Sequence, residues 1–162
     1  DYVHLCMSEI RKAVPDATYG LCMASQWEVS WPTGEEVLPR FEDARNFGAD
    51  IIVMRIVENC PRPPYEKELF MKQYGALIEY LNPTGKALVV ITTSFWPHPA
   101  DEAIREVALQ NGYPLCELND LCVPEMKAIG LFEHKGVAAH PGDLGMATIA
   151  QRILKIILPQ QK

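Results

Sequence analysis

Short apolar runs rich in β-branched residues constrain the fold of this chain more than any other feature of its sequence. Residues 51–56 read Ile-Ile-Val-Met-Arg-Ile, and residues 87–92 read Ala-Leu-Val-Val-Ile-Thr. Runs that are apolar at nearly every position are typical of parallel strands covered on both faces. The sequence therefore predicts strands at 51–56 and 87–92, with further buried strands at 18–24 and 114–118.

Segments with helical periodicity separate these strands. Apolar residues recur every three or four positions in five stretches, which predicts helices at residues 2–13, 35–46, 69–81, 100–111 and 143–158. Strands that alternate with helices form parallel sheets joined by right-handed crossovers. The predicted fold class is α/β, with an open, three-layer, doubly wound parallel sheet of the flavodoxin-like kind. The length fits a single domain over residues 1–162.

Ligands of a doubly wound sheet bind in the loops that follow the carboxyl ends of its strands. In this chain those loops are predicted at residues 25–34, 57–64, 93–99 and 119–140. Polar and aromatic residues in these four loops are therefore the candidates for function.

The composition excludes some classes of protein. Hydrophobic residues make up 48% of the chain, and the net charge of −6 leaves no basic stripe that would bind nucleic acid. No run is long enough to span a bilayer, and no signal peptide is visible. Because the chain begins with Asp1 rather than Met, the cellular compartment stays open.

The five cysteines form no Cys-x-x-Cys pair and show no zinc-site spacing. We interpret them as buried thiols that pack as small hydrophobic residues, with Cys22 and Cys116 inside predicted strands. Neither a metal nor a cofactor is expected.

Two polar residues follow predicted strands directly. Asn59 comes just after the run at 51–56, where its side-chain N–H is a candidate donor to an oxyanion; alternatively it hydrogen-bonds its own turn before Pro61. Ser25 follows the predicted strand at 18–24. It is a candidate backbone donor more than a nucleophile, because no Gly-x-Ser-x-Gly elbow surrounds it, and a plain loop serine is the alternative.

His140 lies in a Pro/Gly turn directly before the last predicted helix, a place that favours a general base over a structural histidine. Asp143, three residues later, orients the imidazole or, as we expect, caps that helix. His98, between two prolines, is interpreted as a surface residue at the rim of the site.

Three tryptophans lie in the predicted strand-end loops. Trp27, Trp31 and Trp96 either form an apolar or sugar-stacking rim or pack over the edge of the sheet. Glu58, beside Asn59, is a candidate substrate-binding residue. Arg55, inside a predicted strand, requires a partner such as a carboxylate.

These features together resemble the SGNH (GDSL-type) hydrolase superfamily. Residues 49–59, ending in Val57-Glu58-Asn59, resemble the family block that ends in Gly-x-Asn, with Val57 where the family usually has glycine. Residues 138–146, with His140-Pro141 and Gly145, resemble the block that contains Asp-x-x-His-Pro and a following Gly. Ser25 matches the family's glycine oxyanion donor.

The chain departs from the family pattern in two places. The Gly-Asp-Ser block, with the nucleophilic serine and the first central strand, has no counterpart within residues 1–162, and we expect it upstream of Asp1, on the same chain or as a separate one. The family's acid falls at Val137. The resemblance therefore implies a Ser–His dyad, or a site that uses Glu133, Asp143 or a backbone carbonyl instead.

The resemblance implies a serine-dependent acyl-ester hydrolase of the esterase or lipase kind. Its substrate would be a small-molecule or carbohydrate ester, and a carbohydrate deacetylase is one version. In the alternative, the domain is catalytically degenerate and binds glycans. A flavodoxin-like nucleotide binder is a weaker third hypothesis, since no phosphate-cradling glycine loop is present.

Overall fold

The computed structural model describes residues 1–61 and 66–158. The chain divides into two compact units, one made of residues 20–117 and the other of residues 1–19 with the stretch that starts at Leu118. The predicted loop at 57–64 extends past residue 61, and its last part lies outside the described residues.

A small parallel sheet organises the unit of residues 20–117. Its strands β1 (Ile51–Met54), β2 (Leu88–Thr92) and β3 (Leu115–Cys116) lie side by side in that order. All pairs are parallel, with Ile51 beside Leu88 and Ile91 beside Leu115. The mixed α/β class and three of the four predicted strands are therefore confirmed, each strand being shorter than the apolar run that predicted it.

The predicted strand at 18–24 is wrong. Residues 17–24 form neither helix nor strand, and no strand of the described chain pairs with them. Leu21 and Met23 are exposed by 65% and 81%. β-propensity mainly reflects packing against neighbouring strands, so an apolar run with no ladder partner does not become a strand. Cys22 is exposed for the same reason, which corrects its interpretation as a buried thiol.

Five helices flank the sheet within this unit. They are α2 (Ser25–Ser30), α3 (Gly34–Val37), α4 (Glu42–Phe47), α5 (Lys67–Leu81) and α6 (Asp101–Asn111). The predictions at 69–81 and 100–111 are confirmed. The loop predicted at 25–34 is wrong, because it is mostly helical. The single helix predicted at 35–46 is broken by a 3-10 turn at Leu38–Phe41, where Pro39 supplies no backbone N–H.

An aromatic cluster fills the core of this unit. The Trp27 ring meets Phe70 and Tyr74 edge-on, with centroids 5.8 and 6.0 Å away, and Trp31 meets Phe70 in the same way at 5.5 Å. Gly34 makes this packing feasible, because a Cβ there would lie 2.5 Å from Trp27 Nε1. The short helices after residue 24 are thus held by burial of their tryptophans.

The second unit is built on two helices far apart in sequence. Helix α1 (Tyr2–Ala13) packs against α8 (Asp143–Ile157), and the Cys6 thiol lies 3.7 Å from the carbonyl oxygen of Ala150. Both helices were predicted. The loop predicted at 119–140 contains two 3-10 turns and the short helix α7 (Lys135–Ala138). Over the described residues, no helix combines the length and apolar character that a membrane crossing requires.

Candidate functional site

The turn that follows β1 contains a strained residue. Val57 has a φ of 106°, the only positive φ at a non-glycine among the described residues, and its side chain is fully buried. Such a φ is unfavourable for a β-branched residue and easy for glycine. Val57 is also the position where the resembled family block has glycine. The turn therefore has the backbone conformation that glycine favours. Interactions with neighbouring residues must offset the strain energy of Val57.

Glu28 provides the hydrogen bonds that stabilise this turn. Its buried carboxylate accepts the backbone N–H of Val57 at 2.7 Å and that of Asn59 at 3.3 Å, both on Oε1. Its other oxygen, Oε2, accepts from Asn59 Nδ2 at 2.7 Å. A carboxylate with three N–H donors is well suited to hold a turn in an otherwise unfavourable conformation.

Asn59 is exposed, and its amide has a fixed orientation. Because a carboxylate accepts and does not donate, the contact with Glu28 must be made by Nδ2 rather than Oδ1. The expected alternative, a bond to its own turn, is not what the structure shows. One N–H of the amide is taken by Glu28, and the amide group carries a second.

Glu28 was not a candidate from the sequence. Its segment was predicted as a loop, and an acidic residue in a loop is ordinarily solvated. The one signal that could have found it was indirect, since a valine in a glycine position implies a compensating acceptor near its backbone N–H.

Arg55 and Glu58 form a half-buried ion pair beside this turn. Arg55 Nη2 lies 2.8 Å from Glu58 Oε1, with both side chains less than a fifth exposed. The carboxylate partner expected for Arg55 is thereby confirmed. The same Glu58 oxygen accepts the backbone N–H of Phe95 at 3.1 Å, so Glu58 links the loop after β1 to the loop after β2. Its observed role is structural, and nothing observed assigns it to a substrate.

The loop after β2 is ordered by Asp101, the first residue of α6. Its buried carboxylate accepts from the backbone N–H groups of Ser94 and His98, at 2.9 and 3.1 Å, and from the Ser94 hydroxyl at 3.0 Å. Ser94 Oγ, which has a single proton to donate, also lies 2.6 Å from the carbonyl oxygen of Trp96. The indole of Trp96 is half-buried and meets Phe95 edge-on.

His98 is buried, so its interpretation as a rim residue is wrong. Its Nδ1 accepts the backbone N–H of Ala100 at 3.1 Å, which places the proton of the neutral ring on Nε2. Nε2 in turn lies 3.2 Å from the carbonyl oxygen of Cys60. The imidazole therefore connects the two strand-end loops as a structural group.

Two of the three tryptophans that were candidates for a substrate-binding rim are core residues. Trp27 is fully buried and Trp31 is 3% exposed, and both belong to the aromatic cluster under the sheet. A sugar ring stacks only on an accessible aromatic face, so neither indole fits the sugar-stacking interpretation. Trp96 alone of the three keeps partial exposure.

Ser25 is exposed and begins α2. The first N–H groups of a helix have no acceptor within that helix, so the Ser25 N–H has the character expected of a backbone donor.

His140 lies in the other unit, and a backbone carbonyl orients its ring. Nδ1 is 2.7 Å from the carbonyl oxygen of Gly136. A carbonyl oxygen only accepts, so Nδ1 carries the proton and Nε2 is the basic nitrogen of the neutral ring. Of the substitutes expected for the family's acid, the structure thus shows a backbone carbonyl. Val137, at the acid's own position, is 44% exposed.

The turn around His140 is fixed to a neighbouring segment of the same unit. Ala128 donates its N–H to the carbonyl oxygen of His140 at 2.9 Å, and Gly142 donates to Met126 O at 2.8 Å. Gly145 lies so close to Met126 that a Cβ there would collide with the Met126 carbonyl oxygen. Glycine at this position is therefore a packing requirement of the turn.

Asp143 does not cap α8. The N-cap is Gly142, no side chain makes a capping bond there, and Asp143 is the first residue of the helix. The capping interpretation is wrong, although a carboxylate in the first turn still interacts favourably with the helix dipole.

The described residues contain no group of three or more His, Cys, Asp or Glu side chains arranged to hold a metal ion. Comparison with family models, with curated proteins and with solved structures finds no match to this chain.

Proposed function

We propose that the protein is an acyl-ester hydrolase of the SGNH kind, with His140 as the general base and Asn59 as an oxyanion donor. The Ser25 N–H is the second donor. The resemblance implies a serine nucleophile of the kind found in the family's Gly-Asp-Ser block. The substrate class is a small-molecule or carbohydrate ester.

The observation that carries the proposal is the turn Val57-Glu58-Asn59. Its positive φ falls at the residue that matches the family's glycine, and the residue two positions later presents a side-chain amide at the surface. A backbone conformation of this kind costs a valine about 1–3 kcal/mol of strain. We infer that the strain is kept because it positions Asn59, two residues later.

The chemistry requires a base and a set of donors. His140 takes the proton of the serine hydroxyl on Nε2, while the Nδ1–H bond to Gly136 holds the ring in the required tautomer. The serine oxygen attacks the ester carbonyl, and the amide of Asn59 donates to the oxygen that becomes negative. His140 then gives the proton to the leaving alcohol, and water releases the acyl group by the reverse sequence.

For the fold, we propose that the three parallel strands belong to a doubly wound SGNH-type sheet. The sequential order β1-β2-β3 supports it.

The glycan-binding alternative has less support. Val137 at the acid's position motivates it, but Trp27 and Trp31, two of the three tryptophans that were candidates to stack on a sugar, lie in the core.

Hydrolysis of short-chain aryl esters by the full-length protein tests the proposal. His140→Ala is expected to lower kcat by about 10²–10⁴-fold, the usual contribution of a general base. His4→Ala, which removes another exposed histidine, is the matched control and is expected to keep wild-type turnover. Equal turnover in the wild type and His140→Ala would contradict the assignment of the base.

A further inference from the structure

The carboxylate of Glu28 holds both the backbone and the side chain of one turn. Three donors of the turn converge on it, the backbone N–H groups of Val57 and Asn59 and the side-chain amide of Asn59. Glu28 is 5% exposed, so the carboxylate end of each bond is shielded from solvent, which strengthens a hydrogen bond.

The two carboxylate oxygens have different tasks. Oε1 accepts both backbone N–H groups, at 2.7 and 3.3 Å, and thereby supports the positive φ of Val57. Oε2 accepts only from Asn59 Nδ2, at 2.7 Å, and thereby decides which end of that amide faces inward.

An asparagine amide can rotate by half a turn with little change in shape, which exchanges a donor for an acceptor. Because Oε2 accepts only, the rotated amide would bring two acceptors together and lose the hydrogen bond. Glu28 therefore fixes Nδ2 in place, and with it the direction of the second N–H.

We propose that Glu28 is a positioning residue, which acts through Asn59 to keep an amide donor directed at the oxyanion of the reaction. The inference rests on the proposed function for its catalytic part. Its structural part, the fixed amide orientation, is independent of any reaction.

Glu28→Gln separates these two tasks. The glutamine Oε1 still accepts the two backbone N–H groups, so the turn and the stability are expected to be close to wild type. The glutamine Nε2 is a donor facing a donor, so the Asn59 amide is expected to rotate and present Oδ1 to it. After this rotation, the lone pairs of Asn59 Oδ1 occupy the position of the second N–H, and they repel an oxyanion.

The expected result is a thermal midpoint near that of the wild type, an unchanged KM and a kcat lower by about 10²-fold, the usual effect of losing one oxyanion donor. Loss of kcat with unchanged KM is the signature of an interaction made in the transition state. Glu117→Gln is the matched control. It removes the carboxylate that pairs with Arg105 just after β3 and is expected to leave kcat unchanged.

The side-chain amide signals of Asn59 give a readout that needs no turnover. In the wild type, one of the two Nδ2 protons is expected to be shifted downfield by the carboxylate, and Glu28→Gln is expected to abolish that shift. Identical Asn59 side-chain signals in the two proteins would overturn the inference, whatever the enzyme does.

The outcomes also separate this inference from the proposed function. Wild-type kcat in Glu28→Gln, together with loss of turnover in His140→Ala, would overturn the role of Glu28 and leave the hydrolase proposal intact. No turnover in the wild type would overturn the hydrolase and, with it, the catalytic part of the role given to Glu28.

Discussion

Nδ1 of His140 donates to the carbonyl oxygen of Gly136, four residues earlier, over 2.7 Å. The bond fixes one tautomer without an acidic side chain. It differs from an acid–imidazole pair in one respect, because a neutral carbonyl stabilises the imidazolium less than a carboxylate does.

The first prediction concerns this tautomer. In the neutral form of His140, ¹⁵N chemical shifts are expected to show a protonated Nδ1 and an unprotonated Nε2. His134 is the control, because its Nδ1 accepts the backbone N–H of Val137 at 3.3 Å and its proton must therefore be on Nε2. The same tautomer for both rings would contradict the geometry.

The second prediction concerns the strain at Val57. Replacing alanine by glycine at an ordinary strand position destabilises a protein by about 0.5–1 kcal/mol, but at a positive φ the sign reverses. Val57→Gly is therefore expected to be more stable than Val57→Ala. The matched pair at Val90, a fully buried residue inside β2, should show the opposite order. Urea unfolding of the four variants measures both differences.

The third prediction concerns Gly145. An alanine Cβ there would collide with the carbonyl oxygen of Met126, so Gly145→Ala is expected to destabilise the protein by about 1–3 kcal/mol through overpacking. Gly75 is also helical, in α5, but nothing lies within 4 Å of its added Cβ. Gly75→Ala is therefore expected to stabilise the protein by about 0.5–1 kcal/mol. Thermal unfolding compares the two, and equal shifts would refute the contact.

The fourth prediction concerns alkaline pH. Burial, followed by the charge of Glu28, raises the pKa of the Cys60 thiol from 9.0 to about 12. The thiol ionises first in the unfolded chain, so its contribution to stability is complete below pH 9 and is lost as the pH rises toward 12. The loss is about 1.4 kcal/mol per pH unit for one such group.

Cys60→Ala is expected to flatten this part of the stability curve, as measured by urea unfolding at pH 8, 9, 10 and 11. Cys122→Ala is the control, because that thiol is only partly buried. A curve for Cys60→Ala parallel to that of the wild type would show that another group titrates.

The apolar runs at β1, β2 and β3 led to correct strand predictions because each of these runs has a neighbouring strand with which it pairs. The same pattern at 18–24 led to a wrong prediction, because no local pattern reports whether a ladder partner exists. Trp27 and Trp31 were misplaced for a related reason. Helices of six residues or fewer are too short for periodicity to reveal, and their burial follows from tertiary packing.

The candidate site residues also divide into those that a local sequence pattern revealed and those that only tertiary contacts reveal. Asn59 and His140 stood out because short motifs place them after a strand and before a helix. Glu28 lies 31 residues before Asn59, and Gly136 acts through a backbone atom, so neither left a motif to find. The valine at position 57 was read only as a departure from a family pattern. The φ of 106° at Val57 shows a backbone conformation that glycine favours, which the residue type alone does not reveal.

The Glu58 carboxylate contacts both Arg55 and the backbone N–H of Phe95. Glu58 therefore joins two loops that are separate in sequence, so a displacement of one loop is transmitted to the other. Lengthening or re-sequencing either loop would therefore displace the other, so substitutions in this part of the molecule are expected to be accepted only when both loops change together.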